Sequence, residues 1–277
     1  MSIEDFRAVT FSSKGYIAIT ENLFESINQN NVNLKIELYA LDEETYNYFY
    51  QKYPNIEVNN EIFFNADSNL FNYFDDKFGE IMLKKFHIIF SALNKSKYVL
   101  YLDGDIVVKK DIKNYLQKYI GEADIVFQND KRPSKPNQIN LCAGFMYIRS
   151  NKKTLRFFDP EKMPVKKIVN YKTHDQTHIN KSKAKFKYKV LPLDIFPNGP
   201  HFYNNNSKID PAIIHFNYLV GNEKIDKINP GKPPPVPKSD NVLTIEKSIK
   251  NTHRSRSGIV HTINAHPKHN YSLHNVI

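Results

Sequence analysis

At 277 residues with a formal net charge of +10, the chain is long enough for one large domain plus a tail. Its single cysteine, Cys142, excludes an internal disulfide framework and fits a reducing compartment. There is no apolar run of about 18 residues, and the N-terminus MSIEDFRAVTF is no signal peptide. For a whole gene product both lead to the expectation of a soluble, cytoplasmic protein, with a clipped ectodomain as the alternative.

Phe6 to Phe11 reads as a first strand, running into Ser12-Ser13-Lys14-Gly15-Tyr16. Small polar residues and a Gly at a strand end let backbone approach a ligand closely. Ile17 to Ile27 has apolar residues at helical spacing, and Leu34 to Leu41 alternates as a second strand. Asp42 can cap a helix running to about Tyr53, before Pro54. Strand, helix, strand, helix predicts an α/β architecture with crossover connections. Residues 59–78 are aromatic and irregular. Phe78 to Leu93 is an amphipathic helix carrying Lys85, a position that in isolation reads as a solvated charge.

Tyr98 to Lys110, YVLYLDGDIVVKK, organises the chain. Tyr98–Leu102 is continuous and β-prone, as in a strand buried on both faces of a mostly parallel sheet. Asp103 and Asp105 then flank Gly104 before the apolar Ile106-Val107-Val108. Bare carboxylates at the end of a core strand repel one another and are costly to desolvate. A hard divalent cation with oxygen ligands removes both problems. By the same reasoning, Asp105 without its metal should cost stability, so an amide there should fold as well as the acid. A plain D-G turn is the competing reading.

Asp111 to Tyr119 reads as a short helix, and Ala123 to Gln128 as another strand. Residues 129–138, NDKRPSKPNQ, form a Pro-broken polar loop. Leu141 to Arg149 returns to strand character with Gly144 inside it, where a bulge or close approach is expected. Thr154 to Phe158 is short and helical. Thr173-His174-Asp175-Gln176-Thr177-His178 groups ligand-capable side chains, or starts a helix with Thr or Asp as cap. A loop at Phe196–Pro200 follows, then the apolar run Ala212–Phe216 with His215 inside it.

From Asn229 the character changes. Pro230 to Pro237 must run extended, and 229–277 carries seven Lys/Arg against two Asp/Glu and five of the ten His. The expected division is a domain over 1–228 and a Pro-rich, basic tail over 229–277. Charge of this sign suits nucleic acid, an anionic membrane or a phosphorylated small substrate, and no nucleic-acid motif selects the first.

Taken in order, these motifs resemble the GT-A nucleotide-sugar glycosyltransferases, particularly the retaining families that include glycogenin-like and bacterial galactosyltransferases. They also resemble the related plant and protist nucleotide-diphospho-sugar transferases. The resemblance covers roughly residues 5–228 and rests most on Asp103-Gly104-Asp105. It implies a single-domain, Rossmann-like, mostly parallel sheet flanked by helices, with an extended Pro-rich tail. It implies Mn2+ or Mg2+ on Asp103, Asp105 and His215, and a nucleotide-diphosphate donor, most simply a UDP-sugar, transferred with retention to an unidentified glycan, protein or small-molecule acceptor. Donor contacts implied in the same way are Thr10, Phe11, Ser12 and Tyr16 for the nucleotide, and Lys85, Asp103, Gly104, Ala143, Gly144 and Lys224. Asp175 and Gln176 look like the family's acidic-amide pair at the sugar, and His215…Gly221…Lys224 like its late H-x-x-G-x-x-K element. The sequence departs from the family in having Cys142 where Asn commonly precedes Ala-Gly, a longer His215–Gly221 spacing, and no Pro-Trp after the Lys.

Two readings of other classes compete. A basic nucleic-acid-binding protein without catalysis would use the Lys-rich surface. An aspartyl-phosphate-type phosphatase shares a strand followed by D-x-D but places it near the domain start.

Overall fold

The computed structural model of the protein describes residues 6–62, 76–132, 134–135, 137–163, 174–205, 208–219, 224 and 227–228. The tail from 229, most of the aromatic stretch 59–78, and Gly221 lie outside the described residues. Among the described residues the strands are β1 (Phe6–Ser12), β2 (Ile36–Ala40), β3 (Glu57–Asn59), β4 (Tyr98–Leu102), β5 (Ile106–Val108), β6 (Ile125–Asn129), β7 (Leu141–Arg149), β8 (Tyr188–Val190) and β9 (Ile213–His215). The α-helices are α1 (Ile17–Gln29), α2 (Glu43–Lys52), α3 (Asp76–Lys95), α4 (Lys113–Ile120), α5 (Lys152–Phe158), α6 (Asp175–Lys181) and α7 (Gly199–Asn205).

Local chemistry sets the ends of these elements. Asp42 caps α2 as expected, its carboxylate accepting from Thr45 N at 2.8 Å. Glu43 and Glu44 in the first turn complement the helix dipole. Asn151 and Thr154 form a reciprocal capping box at α5. The loop expected at Phe196–Pro200 is only half a loop. Gly199 begins α7, because Pro200 sits in a first turn that needs no amide donor.

Seven strands form one sheet in the order β3-β2-β1-β4-β7-β6-β8. All neighbours run parallel except β7, which is antiparallel to both β4 and β6. One face buries Leu23, Phe24, Phe49 and Leu116 from α1, α2 and α4. The other buries Phe86, Ile89, Leu93, Phe157, Phe158 and Ile179 from α3, α5 and α6. Helices on both faces explain why β2 and Val99–Leu102 of β4 are buried throughout rather than alternating.

Two ladders place the acidic pair. Leu102 pairs with Phe145 across β4 and β7, and Asp103 N extends the ladder to Gly144 O at 2.8 Å. Beyond the Asp103–Asp105 turn, β5 leaves the main sheet and pairs antiparallel with β9, Ile106 opposite His215. Phe216 N continues that ladder to Asp105 O at 3.0 Å. The first ladder brings Gly144 against Asp103, and the second brings His215 beside Asp105 from 110 residues further along the chain.

Candidate active site

The carboxylates of Asp103 and Asp105 and the imidazole of His215 offer ligand atoms all within 4.8 Å of one another. Asp105 is almost fully buried. Its Oδ1 stands 3.1 Å from His215 Nε2 yet makes no hydrogen bond of proper geometry. Its Oδ2 accepts from Lys224 Nζ at 2.7 Å. Burial pushes the Asp105 pKa up, but Lys224 and then His215 outweigh it and hold the carboxyl well below the usual range. Burial pushes the His215 pKa down, and Asp105 followed by Cys142 outweighs that, so the ring holds a proton well above its ordinary pKa.

Two carboxylates and an imidazole are a donor set that suits Mn2+. A buried carboxylate oxygen without a hydrogen bond beside a ring nitrogen is what a shared cation would satisfy. Gly144 makes room for the group. A Cβ added there would stand 2.6 Å from His215 Cε1 and closer still to Asp103 Oδ2. Gly144→Ala should therefore keep the fold but push the Asp103 carboxylate and the His215 ring apart. Mn2+ affinity, followed by the EPR signal of free ion, should fall about tenfold or more, and unchanged affinity would show that the cradle has slack.

Lys85 departs from the solvated reading. It is 3% exposed, with Nζ 2.7 Å from Asp175 Oδ2 and 3.1 Å from Asp103 Oδ1, 3.4 Å from Ala143 O, and above the Tyr101 ring at 4.9 Å. Burial pushes its pKa down, but the two carboxylates outweigh it and raise it above the ordinary lysine value. Tyr101 stays a phenol, its pKa raised by burial and by Asp103, and donates to Asp103 Oδ1 at 2.5 Å.

Asp175 opens α6 with His174 as N-cap, and its Oδ1 accepts from Gln176 N at 2.8 Å. Gln176 accepts from Ala143 N at 3.2 Å and donates to Asp130 Oδ2 at 2.8 Å. Asp130 is the residue the sequence reading missed inside the polar loop. It is buried, and besides Gln176 it accepts from Asn217 Nδ2 (2.8 Å), Tyr218 OH (3.0 Å), Asn198 Nδ2 (3.2 Å) and Asn140 Nδ2 (3.3 Å). Five neutral donors replace its hydration.

These groups line one cavity of about 520 Å3. Phe11, Ser12, Tyr16, Lys85, Asp103, Gly104, Asp105, Ala143, Gly144, Asp175, Gln176, His215 and Lys224 all reach it. Of the residues expected from sequence, Thr10 alone does not line it; its side chain is buried within β1. Asp130, Arg132, Asn217, Tyr218 and Leu219 form further wall. Burial, with Asp105 and Asp103, raises the Tyr16 pKa, so its hydroxyl stays protonated. Tyr218 takes a left-handed φ of 67°, a conformation that costs a non-glycine residue roughly 1–3 kcal/mol and is held by the Asn217 and Tyr218 bonds to Asp130.

A model of the family described as nucleotide-diphospho-sugar transferase matches residues 35–229. A UDP-galactose:fucoside alpha-3-galactosyltransferase of Dictyostelium discoideum is 24% identical over 266 residues, which span 79% of this chain and 41% of that protein. The chain thus spans about two fifths of the length of that relative. Among solved structures, the glycosyltransferase GlyE of Streptococcus pneumoniae superposes with TM-score 0.52 at 16% identity, covering 78% of this chain and 55% of that one. An active-site mutant of LgtC gives 0.51 at 14% identity, covering 82% and 97%. No helix among the described residues is long and apolar enough to cross a membrane.

Proposed function

Because the chain belongs to the nucleotide-diphospho-sugar transferase family and carries the GT-A glycosyltransferase fold, we propose that it transfers a sugar from a nucleotide-diphosphate donor with the help of a divalent cation. The observation that carries this reading is the Asp103–Asp105–His215 cluster set beside Lys224 in the cavity. The donor tried first is UDP-galactose, the one in the name of the Dictyostelium relative. That name also specifies an alpha linkage, which from an α-linked nucleotide sugar is retention. The NMR anomer of the product tests it.

A cation held by Asp103, Asp105 and His215 would supply Lewis-acid stabilisation to the diphosphate as the glycosidic bond breaks. The chain's own residues do the rest. Lys224 adds a positive charge from a partly buried position, where it favours the more charged transition state over the bound donor. Lys85 holds the Asp103 and Asp175 carboxylates toward one side of the cavity. Asp175 and Gln176 are braced, by Lys85 and by Ala143 N and Asp130, and retain free lone pairs for sugar hydroxyls. Phe11, Ser12 and Tyr16 at the end of β1 form the wall assigned to the nucleotide.

The direct test is a thermal-shift and hydrolysis screen of nucleotide sugars with and without Mn2+. One UDP-sugar that stabilises the protein only with metal, and whose slow hydrolysis stops in EDTA, supports the reading. No binding by any nucleotide sugar under any metal condition would sink it.

A pH dependence follows from the proton on His215. A cation at Nε2 must displace that proton, which Asp105 holds more tightly than an exposed histidine would be held. Mn2+ affinity should therefore rise with pH by up to about tenfold per unit, and the rise should continue above the ordinary histidine range because the folded protein holds this proton more tightly. Isothermal titration at three pH values checks the sign, and affinity that rises toward acid would contradict it.

A further inference from the structure

Gln128, in β6, has no place in the site so far, yet it is fully buried and touches His215. Its amide orientation follows from what surrounds it. Nε2 lies 2.8 Å from Pro197 O and 3.2 Å from Phe196 O. Both are carbonyl oxygens and can only accept, so the end of the side chain facing them must be the NH2. The other end, 2.6 Å from His215 Nδ1, is then the amide oxygen. An amide oxygen can only accept, so His215 Nδ1 must carry a hydrogen and donate it. The ring nitrogen left to offer a lone pair is Nε2, the one facing Asp105 at 3.1 Å. His215 Cε1 faces Gly144, which agrees with this orientation of the ring.

From this accounting we propose that Gln128 is a positioning residue that holds the Nδ1 proton of His215 and so commits Nε2 to the metal. The inference deepens the metal-dependent reading and rests on it. Two features show that the amide itself is fixed. Pro197 O also accepts from His215 N at 3.3 Å, so one carbonyl anchors both the ring's backbone and the amide that orients the ring. Asn198, the next residue, binds Asp130 Oδ1 and Lys131 O at 3.2 and 3.0 Å, which ties the anchoring segment to the cavity wall. Cys142 Sγ, 3.7 Å from the same Nδ1, is a far weaker acceptor than the amide oxygen, and without Gln128 it could not enforce the choice.

The mode resembles a general arrangement in which a metal-bound imidazole donates its second N–H to a fixed acceptor, and loss of that acceptor weakens metal binding by about 10–100-fold. Gln128→Leu removes both amide ends while nearly keeping volume, and Gln128→Met is a second variant should the first not fold. Mn2+ binding is read by EPR of free ion, alongside circular dichroism and melting temperature in EDTA. The expected result is a folded variant whose Mn2+ dissociation constant rises about 10–100-fold, with KM for the donor changed less than the metal requirement. Wild-type affinity in a folded variant would overturn the proposal. A measurement on the unmutated protein decides independently. With 15N-histidine labelling and diamagnetic Cd2+ bound, the His215 resonance, identified by its loss in His215→Gln, should show a protonated Nδ1. A protonated Nε2 would overturn the inference. Failure of the wild type to bind any divalent ion would instead sink the metal reading itself.

Discussion

Asp105→Asn should abolish turnover and at the same time lower stability in metal-free buffer. Asparagine keeps the shape but presents a neutral ligand, so the charge that neutralises a cation beside the leaving group is gone. Interactions of this kind are realised mainly in the transition state, and removing one costs about 10²–10³-fold or more in kcat. The stability effect comes from Lys224 and His215. Both sit against Asp105, at 2.7 and 3.1 Å, with Lys224 16% exposed and His215 3%. The sequence alone suggested the opposite, a carboxylate whose removal would be harmless without metal. In the folded protein that carboxylate is the counter-charge for two partly or fully buried cations. Breaking a fully buried pair costs about 3–5 kcal/mol. His215 can shed its proton and Lys224 can reach water, so about 1–3 kcal/mol is expected here. At about 2–4 °C per kcal/mol for a domain of this size, the melting temperature in EDTA should drop by several degrees. The wild type should gain stability from Mn2+ plus UDP and the variant should not. A variant that melts like the wild type in EDTA would show that the Lys224 and His215 contacts carry no net stability. A variant that still turns over would remove Asp105 from the metal site.

Elements with a strong internal pattern were legible in the chain. Tyr98–Leu102 is apolar without a break, and Asp42 caps α2 with its own carboxylate. The direction of β7 was not legible. A central strand is apolar on both faces whichever way it runs, and Leu141–Arg149 fits either. β3 was missed because it is three residues long, starts with an exposed Glu57 and lies at the sheet edge. Within the site, the acidic pair stood out because it interrupts an apolar run. Asp130 did not, since its identity as a buried hub depends on donors at 140, 176, 198, 217 and 218, all of which lie beyond the polar stretch 129–138. Gln128 was read as the end of a strand, and only the carbonyls of Phe196 and Pro197 reveal its amide orientation.

Lys85 gives the second large effect, and it separates burial from sequence context most sharply. Alone on an amphipathic helix it reads as a solvated charge, because its partners stand 18 and 90 residues away. Lys85→Met fills much of the volume but leaves Asp103 and Asp175 facing one another without their shared cation. Tyr101 OH still supports Asp103, and Gln176 N still supports Asp175, but neither supplies charge. Stranding carboxylates in this way costs about 3–5 kcal/mol, or a fall of roughly 10 °C or more in melting temperature. Turnover should be lost as well, since the Asp103 carboxylate is no longer held in place beside Asp105. The double variant Lys85→Met/Asp175→Asn removes one of the stranded charges. It should be more stable than Lys85→Met alone, a non-additivity expected only of groups in direct contact. If the double variant instead loses the sum of the two single effects, Lys85 and Asp175 act independently and the 2.7 Å pair is not what holds α3 to the start of α6. If Lys85→Met melts within about 2 °C of the wild type, less than the shift of 1 kcal/mol, the charge is not needed for folding. The role left to Lys85 is then to meet the donor directly, as the family resemblance implied.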